Sequence, residues 1–333
     1  MLLSPNCLRA SRERTSRTID EVALAFDIVL VLLILGVATW TISARDTFAA
    51  VVGFIGFGLV LALAWVCLAA PDVALTEAAI GSGLTGGLLV GASARLRLTE
   101  TTSGETPSIS LRLSAGVVCT FISAGLAAIV LELPGKAPTL APQVAANLAV
   151  TGLDNPVTAV LMAYRAVDTL LEVVVLLLVL GGMWSLAPDH LWGGSPSRRH
   201  PAGPDGVLPF VAQLLVPVGI LVGIHIFWIG SVAPGGEFQG ATILAAMWIL
   251  ATMAGLVDTP AVSRHWLRLL LVAGPAVFFA VGFAGFAMAG AFLAYPEAYA
   301  KLLILIIEIP LTLSIAATLA LLVAGPPERA PQE

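Results

Sequence analysis

Four carboxylates stand inside, or at the lip of, segments otherwise apolar enough to cross a bilayer. Glu77 lies within residues 71–91, Asp168 and Glu172 open the run 168–184, and Glu308 sits within 302–323. A charge at mid-bilayer costs roughly 2.5–3.5 kcal/mol on insertion scales, so such residues face a bundle interior or a water-filled path. The chemistry these residue types can do there is to hold and release a proton or a cation. Translocation of ions is therefore the first expectation.

The elements that must position these groups are helices. A spanning helix needs about 20 apolar residues. On that rule the sequence predicts an all-α polytopic membrane protein with nine transmembrane helices, over 25–43, 50–69, 73–94, 113–132, 157–187, 207–230, 239–257, 267–290 and 301–324. The fifth is long and is expected to begin outside the hydrocarbon. Residues 95–112 and 188–206 are polar, basic and rich in Pro, Gly or Ser, and read as linkers. Residues 133–156 are Pro-rich, nearly uncharged, and read as a third linker. The two basic linkers cut the chain into blocks of three, two and four helices, as in a fusion of small membrane subunits. Residues 1–24 form an N-terminal tail with Arg9, Arg12, Arg14 and Arg17. The apolar run to Ser43 exceeds the roughly 7–15 residues of a signal h-region and reads as a helix.

Composition narrows the function further. The 333 residues are 58% hydrophobic and 11% charged, with a mean hydropathy of +0.98, whereas soluble domains are about 25% charged. A net charge of −5 with no basic face argues against a nucleic-acid partner. Cys7, Cys67 and Cys119 are far apart and form no CxxC or Cys/His cluster, so no metal, haem or disulfide framework is expected. No GxxxxGK[ST] loop or strand-borne GxGxxG offers a nucleotide site. No cofactor and no catalytic centre of an enzyme is expected.

Each candidate has two readings. Asp72, after Pro71, is suited to cap the third helix. Glu77 falls on the same side as Gly81, and Gly83, Gly87 and Gly91 recur every four residues, a spacing that lets another helix approach. Low dielectric disfavours a charged carboxyl, so Glu77 reads as a proton relay or as a buried hydrogen-bonding group. Arg165, Asp168 and Glu172, at i, i+3 and i+7, lie within about 60° on one helical face. They form either an interfacial ion pair or a polar entrance to Glu172. Glu308 precedes Pro310, whose ring removes a backbone bond and frees a carbonyl that can bind water or a cation. The pair reads as an ion site or as a structural contact. His225 reads as a satisfied polar contact before a relay. Residues 234–240, PGGEFQG, form a tight turn without the lysine of a phosphate loop.

Alternating loops assign Arg45, Arg95, Arg97, Arg112, Arg198, Arg199, Arg264, Arg268 and Arg329 to one side. The other side takes Lys136 and Lys301, with Arg165 at its edge, and the N-terminal arginines. The loop majority predicts the N-terminus outside and the C-terminus in the cytoplasm.

These motifs resemble a known set. PDVALTEAAIGSGLTGGLL (71–89) resembles the APDVALTEA signature of MbhD-type domains, and YRAVDTLLEV (164–173) resembles the FRGFDTLGE element of MbhE-type domains. APGGEFQGATILAA (233–246) resembles the PGGGFQGG motif of the MnhB family, and Glu308 matches the glutamate of that family's last helix. The resemblance divides the chain into an MbhD-like block (25–95), an MbhE-like block (96–190) and an MnhB-like block (205–325). It departs at Glu237, which replaces the third glycine of PGGG, at Ala166 and Leu171, which replace glycines, and at Gly230-Ser231, where a histidine is expected. It implies a membrane subunit of a Mrp-type multisubunit Na⁺/H⁺ antiporter in a prokaryotic plasma membrane. Its partners would be the other subunits, its cargo Na⁺ and H⁺, and Glu77 its foremost functional residue. The alternative it implies is the membrane arm of an energy-converting hydrogenase or complex-I-like oxidoreductase.

Overall fold

A computed structural model describes residues 5–99, 108–135, 139–196 and 206–330. Lys136, Arg198 and Arg199 lie outside the described residues, as do the side chains of the N-terminal arginines and of Arg95 and Arg97. Every described element is helical, as the apolar composition requires: without water to bond them, backbone N–H and C=O groups must pair within the segment.

In chain order the helices are α1 (Pro5–Ser43), α2 (Thr47–Cys67), α3 (Pro71–Thr76), α4 (Thr85–Thr99), α5 (Ile109–Glu132), α6 (Ala141–Thr151), α7 (Pro156–Ala159), α8 (Ala166–Trp184), α9 (Val207–Ile229), α10 (Glu237–Met253), α11 (His265–Ala289) and α12 (Ala300–Ala324). A π-helical stretch, Glu77–Leu84, joins α3 to α4, and a second, Val160–Tyr164, joins α7 to the start of α8. Side chains set several starts. Asp46 accepts from Ala49 N–H at 2.9 Å to cap α2, and Asn155 accepts from Val157 N–H at 2.9 Å to cap α7.

Eight of the described spans are long and apolar enough to cross a membrane, and α10, at 17 residues, is a shorter apolar helix. These nine correspond to the nine expected segments. Two local expectations change. The stretch whose composition suggests a third linker contains α6, an 11-residue helix begun by Ala141-Pro142 and ended by Gly152 in the left-handed conformation. The helix of the first span begins at Pro5 and runs 39 residues, so it includes most of the expected tail.

The core forms around α12. Ile304, Ile307, Leu311 and Ile315 of this helix are fully buried and meet Met162, Leu170, Val173, Ala241, Ala245 and Phe278. Close approach rests on small residues, as expected where lipid removes the hydrophobic drive between helices. A Cβ at Gly274 of α11 would lie 2.9 Å from Leu311 Cα. The Ser314 hydroxyl donates to the Leu271 carbonyl between the same two helices. By contrast, α5 buries none of its residues.

Loops gather at two ends of the bundle. At one end Ser231 O accepts from the N–H groups of Asp154 and Asn155, and Gly152 adjoins Lys301. At the other, Val262 N–H donates to Gly194 O, and Glu328 N–H donates to Ser195 O.

Candidate proton and ion site

Asp72 does not cap α3. Ala70 holds the N-cap position and Pro71 fills the first turn, which leaves the Asp72 carboxylate free to reach across the bundle. It is 8% exposed, and its Oδ1 accepts from Gly235 N–H at 3.0 Å and from Asn155 Nδ2 at 3.5 Å. Asn155 also donates through Nδ2 to Ala233 O at 3.0 Å, and Thr158 donates through Oγ1 to Gly230 O at 2.6 Å. One helical turn deeper, Gln239 Nε2 donates to Thr76 Oγ1 at 3.1 Å. The junction thus ties α3, the α6–α7 corner and the turn before α10 together. That turn can form because Gly235 and Gly236 have φ of +146° and +148°, in the region that favours glycine. Asn155 and Thr158 carry no motif in the sequence, and their part emerges only where the three segments meet.

Glu77 opens the π-helical stretch and points, as its spacing with Gly81 suggests, toward a helix junction. Its carboxyl lies over Gly81, and its Oε1 is 3.0 Å from the place a Cβ on Gly58 of α2 would take. The glycine stripe behaves differently. A Cβ at Gly87 or Gly91 would meet nothing within 4 Å, whereas Gly86 faces Ile55 of α2. The π-helix is the cause: its i→i+5 bonding inserts an extra residue per turn, so the every-fourth-residue register does not carry through from Glu77. Gly87 and Gly91 instead line a cavity of about 780 Å³ with Trp248, Met253 and the C-terminal end of α12.

A second acidic group lies where α8, α10 and α12 meet. Glu308 and Glu237 are each 5% exposed. The charge of Glu237 acts on Glu308, and that of Glu172 acts on Glu237, so the three carboxyls form a row. Glu172 itself is exposed in the isolated chain. The buried Tyr295 hydroxyl has no hydrogen-bond partner among the described residues; burial first, and the Glu308 carboxylate second, hold its phenol above the usual range. Glu237 is a functional candidate that its motif conceals, because the sequence marks the position as part of a turn. Its signal is a carboxyl in a glycine's place at the head of an apolar helix. Around Pro310, α12 continues unbroken from Ala300 to Ala324. The proline withdraws the N–H that would pair with the Ile306 carbonyl, while Thr312 Oγ1 donates to Glu308 O at 2.8 Å.

The remaining candidates lie away from the buried groups. Arg165 and Asp168 form an ion pair at 2.5 Å with side chains 70% and 52% exposed, which fits the interfacial reading. Arg165 stands between the second π-helical stretch and α8, so it does not share one regular helical face with Glu172. His225 is exposed on α9, and the packed polar contact expected of it is not formed among the described residues.

Together the arrangement offers two interior acidic stations. One is Glu77 between α2 and the π-helix. The other is the row of Glu172, Glu237 and Glu308. The Thr76–Gln239 bond joins the helices that carry them.

Two families match parts of the chain. The MbhD family, described as the D-type component of MBH, matches residues 32–98, and the family described as a domain related to the MnhB subunit of Na⁺/H⁺ antiporter matches residues 207–325. Among solved structures, that of the Mrp complex from Dietzia sp. DQ12-45-1b contains a similar chain at a TM-score of 0.71 and 24% identity, over 92% of this chain and 35% of that one. At this identity the likeness is one of fold. The structure of the membrane-bound sulfane sulfur reductase (MBS), an archaeal respiratory membrane complex, gives a TM-score of 0.49 at 22% identity, over 65% of this chain and 99% of that one. An uncharacterized protein of Methanocaldococcus jannaschii is 28% identical over 156 residues, 42% of this chain and 60% of the relative. The chain therefore spans less than two thirds of the length of that relative, and about a third of the matched Mrp-complex chain.

Proposed function

The chain belongs to the fused MbhD/MnhB-type membrane subunits, and from that premise we propose that it serves a multisubunit cation/proton antiporter, exchanging Na⁺ for H⁺. It acts as a transport subunit and not as an enzyme, and it works only with partner subunits. Glu77 and the row of Glu172, Glu237 and Glu308 are stations of the proton or cation path. Asp168 and Arg165 mark the polar mouth beside Glu172. The observation that carries this reading is Glu308, a carboxyl 5% exposed at the centre of the most buried span. Charged groups kept at that depth belong to ion pathways by default.

The chain is proposed to lie in a prokaryotic plasma membrane with its N-terminus outside and its C-terminus in the cytoplasm. The arginines of the described loops support this orientation. Arg264, Arg268 and Arg329 belong to the end where 193–196, 259–264 and 325–330 meet, and Lys301 belongs to the opposite end.

The test is Glu77→Gln in the assembled complex, reconstituted in vesicles. Gln keeps the size and much of the hydrogen bonding but cannot titrate, so cation-driven proton exchange is abolished while assembly persists. Glu77→Asp retains part of the activity. Normal exchange in the Gln variant removes Glu77 from the path. The MbhD domain favours a second reading, the membrane arm of an energy-converting hydrogenase or a complex-I-like oxidoreductase. Purifying the intact complex and identifying its components separates the two: redox subunits beside this chain would favour the second.

A further inference from the structure

Ser82 lies in the π-helical stretch, five residues after Glu77, and is 1% exposed. Its hydroxyl has no hydrogen-bond partner among the described residues. That is unusual for a helical serine or threonine, which normally bonds a carbonyl of the preceding turn. Its neighbours do so: Thr76 bonds Asp72 O at 3.0 Å, Thr85 bonds Ile80 O at 2.9 Å and Ser93 bonds Val90 O at 2.9 Å. A buried hydroxyl left without a partner costs free energy, so its presence needs a use. Its surroundings point to one. A Cβ on Gly58 would run into Ser82 Oγ and come within 3.0 Å of Glu77 Oε1. Both polar atoms thus converge on one spot above a residue with no side chain. The i→i+5 pitch puts them there, since residues five apart share a face of a π-helix.

We infer that Ser82 is the positioning residue of Glu77, the hydroxyl that its carboxyl takes as hydrogen-bond partner when its charge changes. This rests on the proposed role of Glu77 in transport. A hydroxyl suits the task because it donates to an ionised carboxylate and accepts from a protonated one by rotating. Gly58 keeps the space in which the two side chains meet.

The experiment compares the assembled complex with Ser82→Ala, Ser82→Cys and Glu77→Gln, by vesicle transport and by infrared difference spectroscopy of the protonated carboxyl. The carbonyl band of Glu77 is the one lost in Glu77→Gln. In Ser82→Ala that band moves to higher frequency, and transport falls about tenfold, the scale of one hydrogen bond to a charged group. Ser82→Cys, nearly isosteric but a weak donor, falls between. An unmoved band, or full transport in Ser82→Ala, overturns the role of Ser82 while leaving Glu77 in place. Normal transport in Glu77→Gln overturns both. If Ser82→Ala does not assemble, Ser82→Cys decides by the same band: a shift supports the role and an unshifted band ends it.

Discussion

The carboxylate of Asp72 accepts a hydrogen bond from the backbone N–H of Gly235, 163 residues away, at 3.0 Å. One buried oxygen thereby fastens the third span to the turn before α10, with Asn155 as a second donor. Asp72→Ala leaves two buried donors without their acceptor, at a cost of about 1–3 kcal/mol. Thermal unfolding of the purified complex should fall accordingly. Asp72→Asn keeps one acceptor oxygen and should lose less. An unchanged melting temperature in Asp72→Ala would show that the bond is no joint of the bundle.

The spans are legible in the sequence because the apolar runs are long, and in lipid a run of that kind has one regular solution. The carboxyls are legible for the complementary reason, being conspicuous against that background: Glu308 is buried and Glu77 faces a helix junction, as the sequence implies. What the sequence hides depends on contacts between distant segments or on backbone geometry. Asp72 follows a proline and looks like a cap, and nothing nearby reveals a partner 163 residues on. The glycine stripe assumes 3.6 residues per turn through Glu77–Leu84, where the helix is wider. Glu237 is hidden by its motif, which marks the position as part of a glycine turn.

The altered register gives a direct contrast among glycines. Gly86→Ala adds a methyl against Ile55 of α2, and Gly235→Ala adds one against the Ile226 carbonyl at a φ of +146°. Each should lower thermal stability, Gly235→Ala more, because both crowding and backbone strain act there. Gly87→Ala and Gly91→Ala face open space and should leave the stability of the isolated chain within about 0.5 kcal/mol or raise it, alanine being the better helix former. Melting curves of the four variants in detergent check the order.

Orientation can be read with a thiol reagent that does not cross the membrane. Cys67 and Cys119 are exposed and would first be replaced by serine, together with Cys7. Glu297 and Ser263 are exposed in loops at opposite ends of the bundle. A cysteine at position 297 should then be labelled from outside intact cells, and one at position 263 only after permeabilisation. The reverse pattern would invert the proposed topology.

Glu308 and Pro310 share one turn of α12, and the carbonyl that the proline leaves without its usual donor, on Ile306, lies on the turn before it. If carboxyl and carbonyl hold one ion, they act as a unit. Glu308→Gln should then abolish exchange, and Pro310→Ala should slow it several-fold. The double variant should be little worse than Glu308→Gln alone, since losses within one site are not additive. Restoring a backbone bond, Pro310→Ala should meanwhile stabilise the helix. A variant that is both firmer and slower separates a role in transport from a role in folding. Losses that sum as free energies would make the carboxyl and the carbonyl independent. Normal exchange by Glu308→Gln would take the carboxyl out of the path and leave Thr312 and its bond to the Glu308 carbonyl as the structural feature of that turn.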